Sequence, residues 1–234
     1  MSGFTLTRFI IAIAAITLLL AILLGRKAKH GNALSIKFIA KSGVFAAFSI
    51  ILYIVPALNI NLPIFPSFLK LHFDEIPAFI AGFAYGPFSA LLVIIVKTLV
   101  KLPMTNTLGV GELADFIYSC AFVLPAAIIY RKKKNVKGAI AGFGISTIIQ
   151  LIVSCFLTTF VILKFYIFVM GWSEGFILSA CQIVNPAITD LKWPFFFIVA
   201  LPFNALKDVI VVILTFLLYK RLHKFIDRIS AQKN

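Results

Sequence analysis

The amino-acid sequence predicts an all-α, polytopic membrane protein: a bundle of six helices preceded by one additional N-terminal transmembrane helix. Three observations carry that expectation. The chain is 62% hydrophobic and only 13% charged, against roughly 25% charged residues in ordinary globular proteins, and its mean hydropathy is +1.07. Several apolar runs approach the roughly 20 residues that cross a bilayer as a helix, where a β-barrel would show short alternating segments. The basic residues, finally, gather beside those runs.

The net charge of +14 is therefore arranged for a membrane and not for nucleic acid. Arg26, Lys27, Lys29, Lys37 and Lys41 form one cluster, and Arg131, Lys132, Lys133, Lys134 and Lys137 a second. Lys220, Arg221, Lys224, Arg228 and Lys233 form the third. Each borders an apolar span, the positive-inside pattern. With all three in the cytoplasm, the N-terminus lies outside and the C-terminus inside. Cys120, Cys155 and Cys181 are far apart with no CxxC spacing, which points to neither a disulfide framework nor a zinc site.

Phe9 to Leu24 reads as an uncleaved helix, since only Arg8 precedes it and Gly25-Arg26-Lys27 follows, the reverse of a signal peptide. Ser42 to Leu58 is the next span. Its Gly43, Ala46 and Ala47 admit the close approach of another helix or serve internal packing. Asn59 to Phe73 is a loop stiffened by Pro63 and Pro66 and studded with Ile64, Phe65, Phe68 and Leu69. Such a loop either covers a pocket as a lid or rests on the lipid interface. Asp74 and Glu75 open a short run from Ala78 to Tyr85, and helix capping is their expected role, because carboxylates favour a helix N-terminus.

Phe88 to Leu102 carries Lys97 and Lys101 on one face, both within reach of the outer interface. The glycine-bearing turn Pro103 to Gly111 leads to Glu112, Asp115 and the span Ile117 to Tyr130. These two acids share a helical face and are open either to pairing with Lys97 or Lys101 or to lining a polar cavity. Gly138 to Met170 exceeds one bilayer thickness, so it should tilt or emerge. Gly171 to Lys192 reads as a polar connection, with Trp172 and Trp193 suited to the interface belt. The last span, Phe195 to Tyr219, holds Asn204 and Lys207 three apart on one face. A lysine there either snorkels to the interface or serves a site. Three loops converge on the same outer end, which favours a site.

Catalytic chemistry is missing from this pattern. There is no GxxxxGK[ST] loop for ATP, no HExxH and no GxSxG, and His30, His72 and His223 are widely separated. No catalytic residue is nominated, and the chain is expected not to be an enzyme. Transport, ligand reception or a structural role remain. Uphill transport would need an ion gradient or a partner, and the duplicated halves of many ion-coupled carriers are not evident.

Six motifs, in order, resemble a known family. Ala40-Lys-Ser-Gly-Val-Phe-Ala-Ala47 is similar to the small-residue motif in the first helix of S-components, the substrate-binding subunits of energy-coupling factor (ECF) vitamin transporters. Pro63-Ile-Phe-Pro-Ser-Phe-Leu-Lys-Leu-His-Phe-Asp-Glu-Ile-Pro77 and Gly82-Phe-Ala-Tyr-Gly-Pro87 resemble the riboflavin-specific RibU family of S-components. So do Gly109-Val-Gly-Glu-Leu-Ala-Asp-Phe116, Asn185-Pro-Ala-Ile-Thr189 and Pro202-Phe-Asn-Ala-Leu-Lys207. The match runs from about Ile36 to Ile226. It divides the chain into 1–35, an extra transmembrane helix with a basic linker, and 36–234, the six-helix substrate-binding domain.

The resemblance implies a subunit that captures riboflavin from outside as a transported ligand, with no cofactor of its own. It implies docking on a transmembrane coupling protein driven by two cytoplasmic ATPases. Gly43, Ala46 and Ala47 would contact that coupling protein. Asn204 and Lys207 would meet the polar edge of the flavin ring, with Leu69, Lys70, Phe73 and Asp74 bordering it. Glu112, Asp115 and Thr158 complete the expected ligand set, with two departures: Thr158 stands where the family often has Asn, and Asp115 where Asn is usual. A hydroxyl offers less than an amide. Lys164 suits a phosphate as a point charge, which extends the expected ligands to FMN and FAD. The alternatives are another vitamin, or a structural or regulatory subunit whose polar groups only pack helices.

Overall fold

The computed structural model describes residues 35–231, with side chains through residue 219; the expected helix Phe9 to Leu24 lies outside the described residues. Ser35 opens the first helix, α1 (Ile36–Ile54), its hydroxyl accepting from the Phe38 amide at 3.2 Å. The helix begins six residues before the expected Ser42, because Lys37 and Lys41 are absorbed into its first turns and Lys41 finds the Tyr85 ring 5.3 Å away. It stops at Ile54 ahead of Pro56, as the restricted backbone before proline requires. Ser42, Ala46, Ser49 and Tyr53 make its buried stripe, at the i, i+4, i+7, i+11 spacing of one helical face.

Helix α2 (Glu75–Tyr85) is buried from Glu75 to Phe83. It reverses at Gly86, whose φ of +97° is open to glycine at little steric cost, into α3 (Pro87–Lys101). A Cβ on Gly82 would stand 2.9 Å from that of Ala127, so glycine sets the spacing between α2 and the next helix, α4 (Val110–Lys132). Helix α5 (Val136–Phe168) runs 33 residues with a π-turn at Thr158–Ile162, about 50 Å long against a hydrocarbon core of about 30 Å. Helix α6 (Glu174–Val184) lies inside the stretch expected to be a connection, capped by Ser173 at 3.0 Å from the Phe176 amide. Its buried Ile177 and Cys181 are four apart. The last helix, α7, spans Trp193–Tyr219 and continues to Ala231, with a second π-turn at Phe196–Ala200. Five of these helices are long and apolar enough to cross a membrane; α2 and α6 are shorter.

The up-and-down path brings loops 55–74, 102–109 and 169–192 to one end of the bundle. The far half is closed by aromatic packing: Phe79 meets Phe122 at 4.8 Å and Phe143 at 5.2 Å, and Phe83 meets Tyr130 at 4.6 Å. A hydroxyl–hydroxyl hydrogen bond joins Tyr130 to Tyr219. At the loop end, a second apolar cluster of Ile177, Cys181, Ile188, Phe195 and Phe196 receives Phe65, Phe68 and Leu69 from the proline-stiffened loop. An isolated antiparallel bridge, Ile60 to Leu71, ties the two ends of that loop together. The loop is thus packed onto the helices it crosses.

Candidate ligand-binding site

Under this loop the bundle buries a cluster of charges. Asp74 occupies the N-cap position of α2, but its carboxylate caps nothing. It accepts instead from Lys97 of α3 and from His72 Nδ1, while its backbone carbonyl accepts from Ser49 Oγ at 2.6 Å. The expected capping role is corrected by packing: a lysine sealed in an apolar span draws the nearest carboxylate. Burial by itself would raise the Asp74 carboxyl, but the Lys97 ammonium and His72 outweigh it and hold the group well below the usual carboxylate range.

Lys97 is fully buried, not at the interface where its spacing with Lys101 suggested. Its Nζ donates to Asp74, to Asp115 Oδ2 at 2.9 Å and to Ser119 Oγ at 2.7 Å, which engages all three donors of an ammonium. The Tyr53 ring lies 5.0 Å from the same Nζ, and the Nζ of half-buried Lys101 is 5.4 Å from that ring. Of the two options open for Asp115, pairing with Lys97 is the one found. His72 lies beside both acids, its Nε2 3.7 Å from Asp115 Oδ1.

Glu75, the next residue on, faces α7. Its Oε1 accepts from Lys207 Nζ at 2.6 Å, and both side chains are buried. Asn204 is also buried, one turn before Lys207, and donates to the Ala200 carbonyl at 2.8 Å within the turn that follows the π-geometry. One donor atom from each of His72, Asp74, Glu75 and Asp115 lies within 4.8 Å of the others, a spacing a divalent cation could use. Two ammonium groups already stand against these three carboxylates, so the protein's own lysines compensate most of the cluster's charge.

The other expected site residues fall around this centre. Glu112 accepts from Thr105 Oγ1 at 2.6 Å and Thr107 Oγ1 at 3.2 Å, so it pins loop 102–109 to the start of α4. Thr158 opens the π-turn of α5 and shares a 2.9 Å hydrogen bond with Tyr118, one turn beyond Asp115. Phe73 packs on the main core and Leu69 on the second cluster, whereas Lys70 is exposed on the loop. A cavity of about 260 Å³ opens at the same end, between Pro63, Phe65 and Pro66 of the loop, Asn185 and Ile188, and Val199 of α7. Of the small residues on α1, Gly43 and Ala47 face outward, but Ala46 is buried in the bundle. The expectation that all three share an exposed docking face is corrected for Ala46, which lies on the Ser42 to Tyr53 stripe.

Sequence reasoning offered Lys97 only as one of two possible partners for Asp115, and it missed Glu75, His72 and Ser119 as members of the same cluster. The signal was available for Lys97, since an ionisable residue inside an apolar span ordinarily has a partner.

Comparison with known proteins agrees with this architecture. The family model of the ECF transporter substrate-specific component matches residues 37–219. The riboflavin transporter RibU of Staphylococcus aureus (strain TCH60) is 33% identical over 183 residues, covering 77% of this chain and 89% of the relative. The riboflavin transporter FmnP of Bacillus subtilis (strain 168) is 25% identical over 194 residues, covering 81% and 95%. The solved structure of the S component of a bacterial ECF transporter superposes with a TM-score of 0.61 at 27% identity, covering 80% of this chain and 95% of that one.

Proposed function

Because the chain belongs to the family of ECF transporter substrate-specific components, we propose that this multi-pass membrane subunit binds riboflavin and delivers it for uptake. The observation that carries the reading is Lys207, sealed in the last span yet bonded among the described residues to one carboxylate oxygen only. An ammonium has three donors, so two remain for a ligand, and Asn204 stands one turn away on the same face. The flavin ring is planar and largely apolar with hydrogen-bonding groups along one edge, which suits a few fixed polar groups among aromatic walls. Tyr53, Phe65, Phe203 and Trp172 are available at this end.

In this reading the loop end faces outside, since the basic segment Arg131 to Lys137 lies at the other end. Asp74 and Asp115 act through Lys97, holding α2, α3 and α4 in register under the ligand, and Glu112 fixes the neighbouring loop. The ligand enters by lifting loop 55–74, whose Phe65 ring packs on Phe203 of α7 at 5.2 Å. The chain carries no phosphate-binding loop, so the energy of uptake comes from ATPases reached through a coupling membrane protein. The outward face of α1 suits that partner: a Cβ on Gly43 would meet nothing within 4 Å, and small residues let a second helix approach closely.

Titration of the purified protein with riboflavin, read by quenching of Trp172 and Trp193 at the loop end, tests the ligand. Saturable quenching and yellow co-purifying flavin are expected; a colourless, unquenched protein overturns the assignment. FMN and FAD as competitors decide whether Lys164, half-buried beyond the π-turn of α5, widens the range. Gly43→Phe is expected to leave binding intact and abolish uptake, and undiminished uptake would remove α1 as the docking face.

A further inference from the structure

Of the three carboxylates gathered around His72, Glu75 alone keeps an oxygen without a partner among the described residues; Asp208, next to Lys207 in sequence, has both of its oxygens unpartnered as well. Its Oε1 is taken by Lys207, its Oε2 has no partner among the described residues, and the side chain is 1% exposed. A buried acceptor left unmet costs about 1–3 kcal/mol, more when charged. The two oxygens of a carboxylate are fixed relative to each other, so Oε2 stands beside the same ammonium that Oε1 binds. The result is an acceptor and a donor group side by side, one on α2 and one on α7, both sealed from water.

The neighbouring carboxylates differ in this respect. Asp74 has both oxygens engaged by Lys97 and His72, and Asp115 meets Lys97 with one oxygen and His72 with the other. Glu75 alone among the three has an oxygen with nothing against it.

This arrangement complements an imide. The pyrimidine edge of an isoalloxazine ring presents carbonyl, N3–H and carbonyl in a row. Lys207 and Asn204 can supply donors to the carbonyls; an ammonium cannot accept from N3–H and the Asn204 amide oxygen can, but it is Glu75 Oε2 that is buried with no partner among the described residues. Resting on the riboflavin reading, we propose that Glu75 is a ligand-binding residue, its Oε2 accepting from the imide N3–H while Oε1 keeps Lys207 aimed at the adjacent carbonyl. The bond is charge-assisted, and such bonds are roughly twice as strong as neutral ones. Glu75 thereby sets specificity: it favours ring systems with an N–H between two carbonyls and disfavours those that present only acceptors there.

The test compares riboflavin with 3-methylriboflavin, which lacks that N–H, by tryptophan quenching of the wild-type protein and of Glu75→Gln. In the wild type the methylated flavin should bind about ten- to a hundredfold more weakly. In Glu75→Gln riboflavin itself should weaken by a similar factor and most of the difference between the two flavins should vanish. Equal affinities in the wild type overturn the proposal while leaving riboflavin binding in place. A methyl penalty undiminished in Glu75→Gln, a variant of the same size, also overturns it, since the penalty is then steric. Failure of riboflavin to bind the wild type at all removes the underlying ligand reading instead, and the proposal with it. A measurement independent of the variant's folding uses riboflavin labelled with ¹⁵N at N3. Bound to wild-type protein, its N3–H proton should be protected from solvent exchange, and exchange as fast as in free flavin is the contrary result.

Discussion

Lys97 and Lys207 are both buried lysines in apolar helices, both pair with acids at the start of α2, and they are built for opposite ends. Lys97 on α3 meets two carboxylates and a hydroxyl. Lys207 on α7 meets a single carboxylate oxygen. The first has no donor left over and binds three helices into one frame. The second keeps donors in reserve beside Asn204 and an unsatisfied Glu75 oxygen. In a low-dielectric interior an unmet polar group is costly, and in the proposed reading the ligand meets the one beside Lys207. Saturation separates the strut from the site.

The comparison breaks most visibly at Lys97. Lys97→Met would leave Asp74 and Asp115 buried without their cation, and removing one member of a buried pair typically costs about 3–5 kcal/mol. The expected outcome is a large drop in denaturation midpoint in detergent, with any riboflavin binding lost along with the fold. A Lys97→Met protein as stable as wild type would mean that the cluster is not the frame described here.

How much of this could be read from residues alone depends on whether the information was local. The membrane spans were legible, because hydropathy is a property of consecutive residues, and the same holds for the polar pair Asn204 and Lys207. Helix α6 was not: its eleven residues are too few for a span, and Asn185, Pro186 and the flanking polar residues resemble a connection. The start of α1 at Ile36 is not legible locally, because lysines at a helix start look like a linker and only packing shows the Tyr85 ring beside Lys41. Lys97 and Lys101 sit four apart and read as equals. Only packing against α2 and α4 shows that one is enclosed by acids 23 and 18 residues away while the other rests on Tyr53. For the same reason Asp74 and Glu75 read as helix caps, their true partners being on other helices. Residue size groups Ala46 with Gly43 and Ala47, although a 100° step per residue turns it inward.

A sharper version of the contrast comes from Lys207. Lys207→Gln removes the cation but keeps a donor toward Glu75, so the fold should survive better than in Lys97→Met. Riboflavin affinity should fall by about ten- to a hundredfold, the loss expected for a hydrogen bond involving a charged group. Quenching titrations and the denaturation midpoint on the same sample separate the two effects. If Lys207→Gln destabilises the protein as much as Lys97→Met while the folded fraction binds riboflavin normally, the roles are reversed.

The smallest effect is expected at Ser119, the least of the three acceptors on Lys97. Its hydroxyl is buried and receives Nζ at 2.7 Å. Alanine there leaves the ammonium its two carboxylates, so the pairing of charges is kept and one hydrogen bond from the ammonium is lost. That costs about 1.5 kcal/mol, a modest fall in midpoint, and riboflavin affinity should not change, because Lys97 keeps both carboxylates and still ties α2 and α4 to α3. Reduced affinity in Ser119→Ala at unchanged stability would place Lys97 in the ligand site beside Lys207. Both lysines would then share one task, and the division between a saturated strut and an unsaturated site would fail at its most sensitive point.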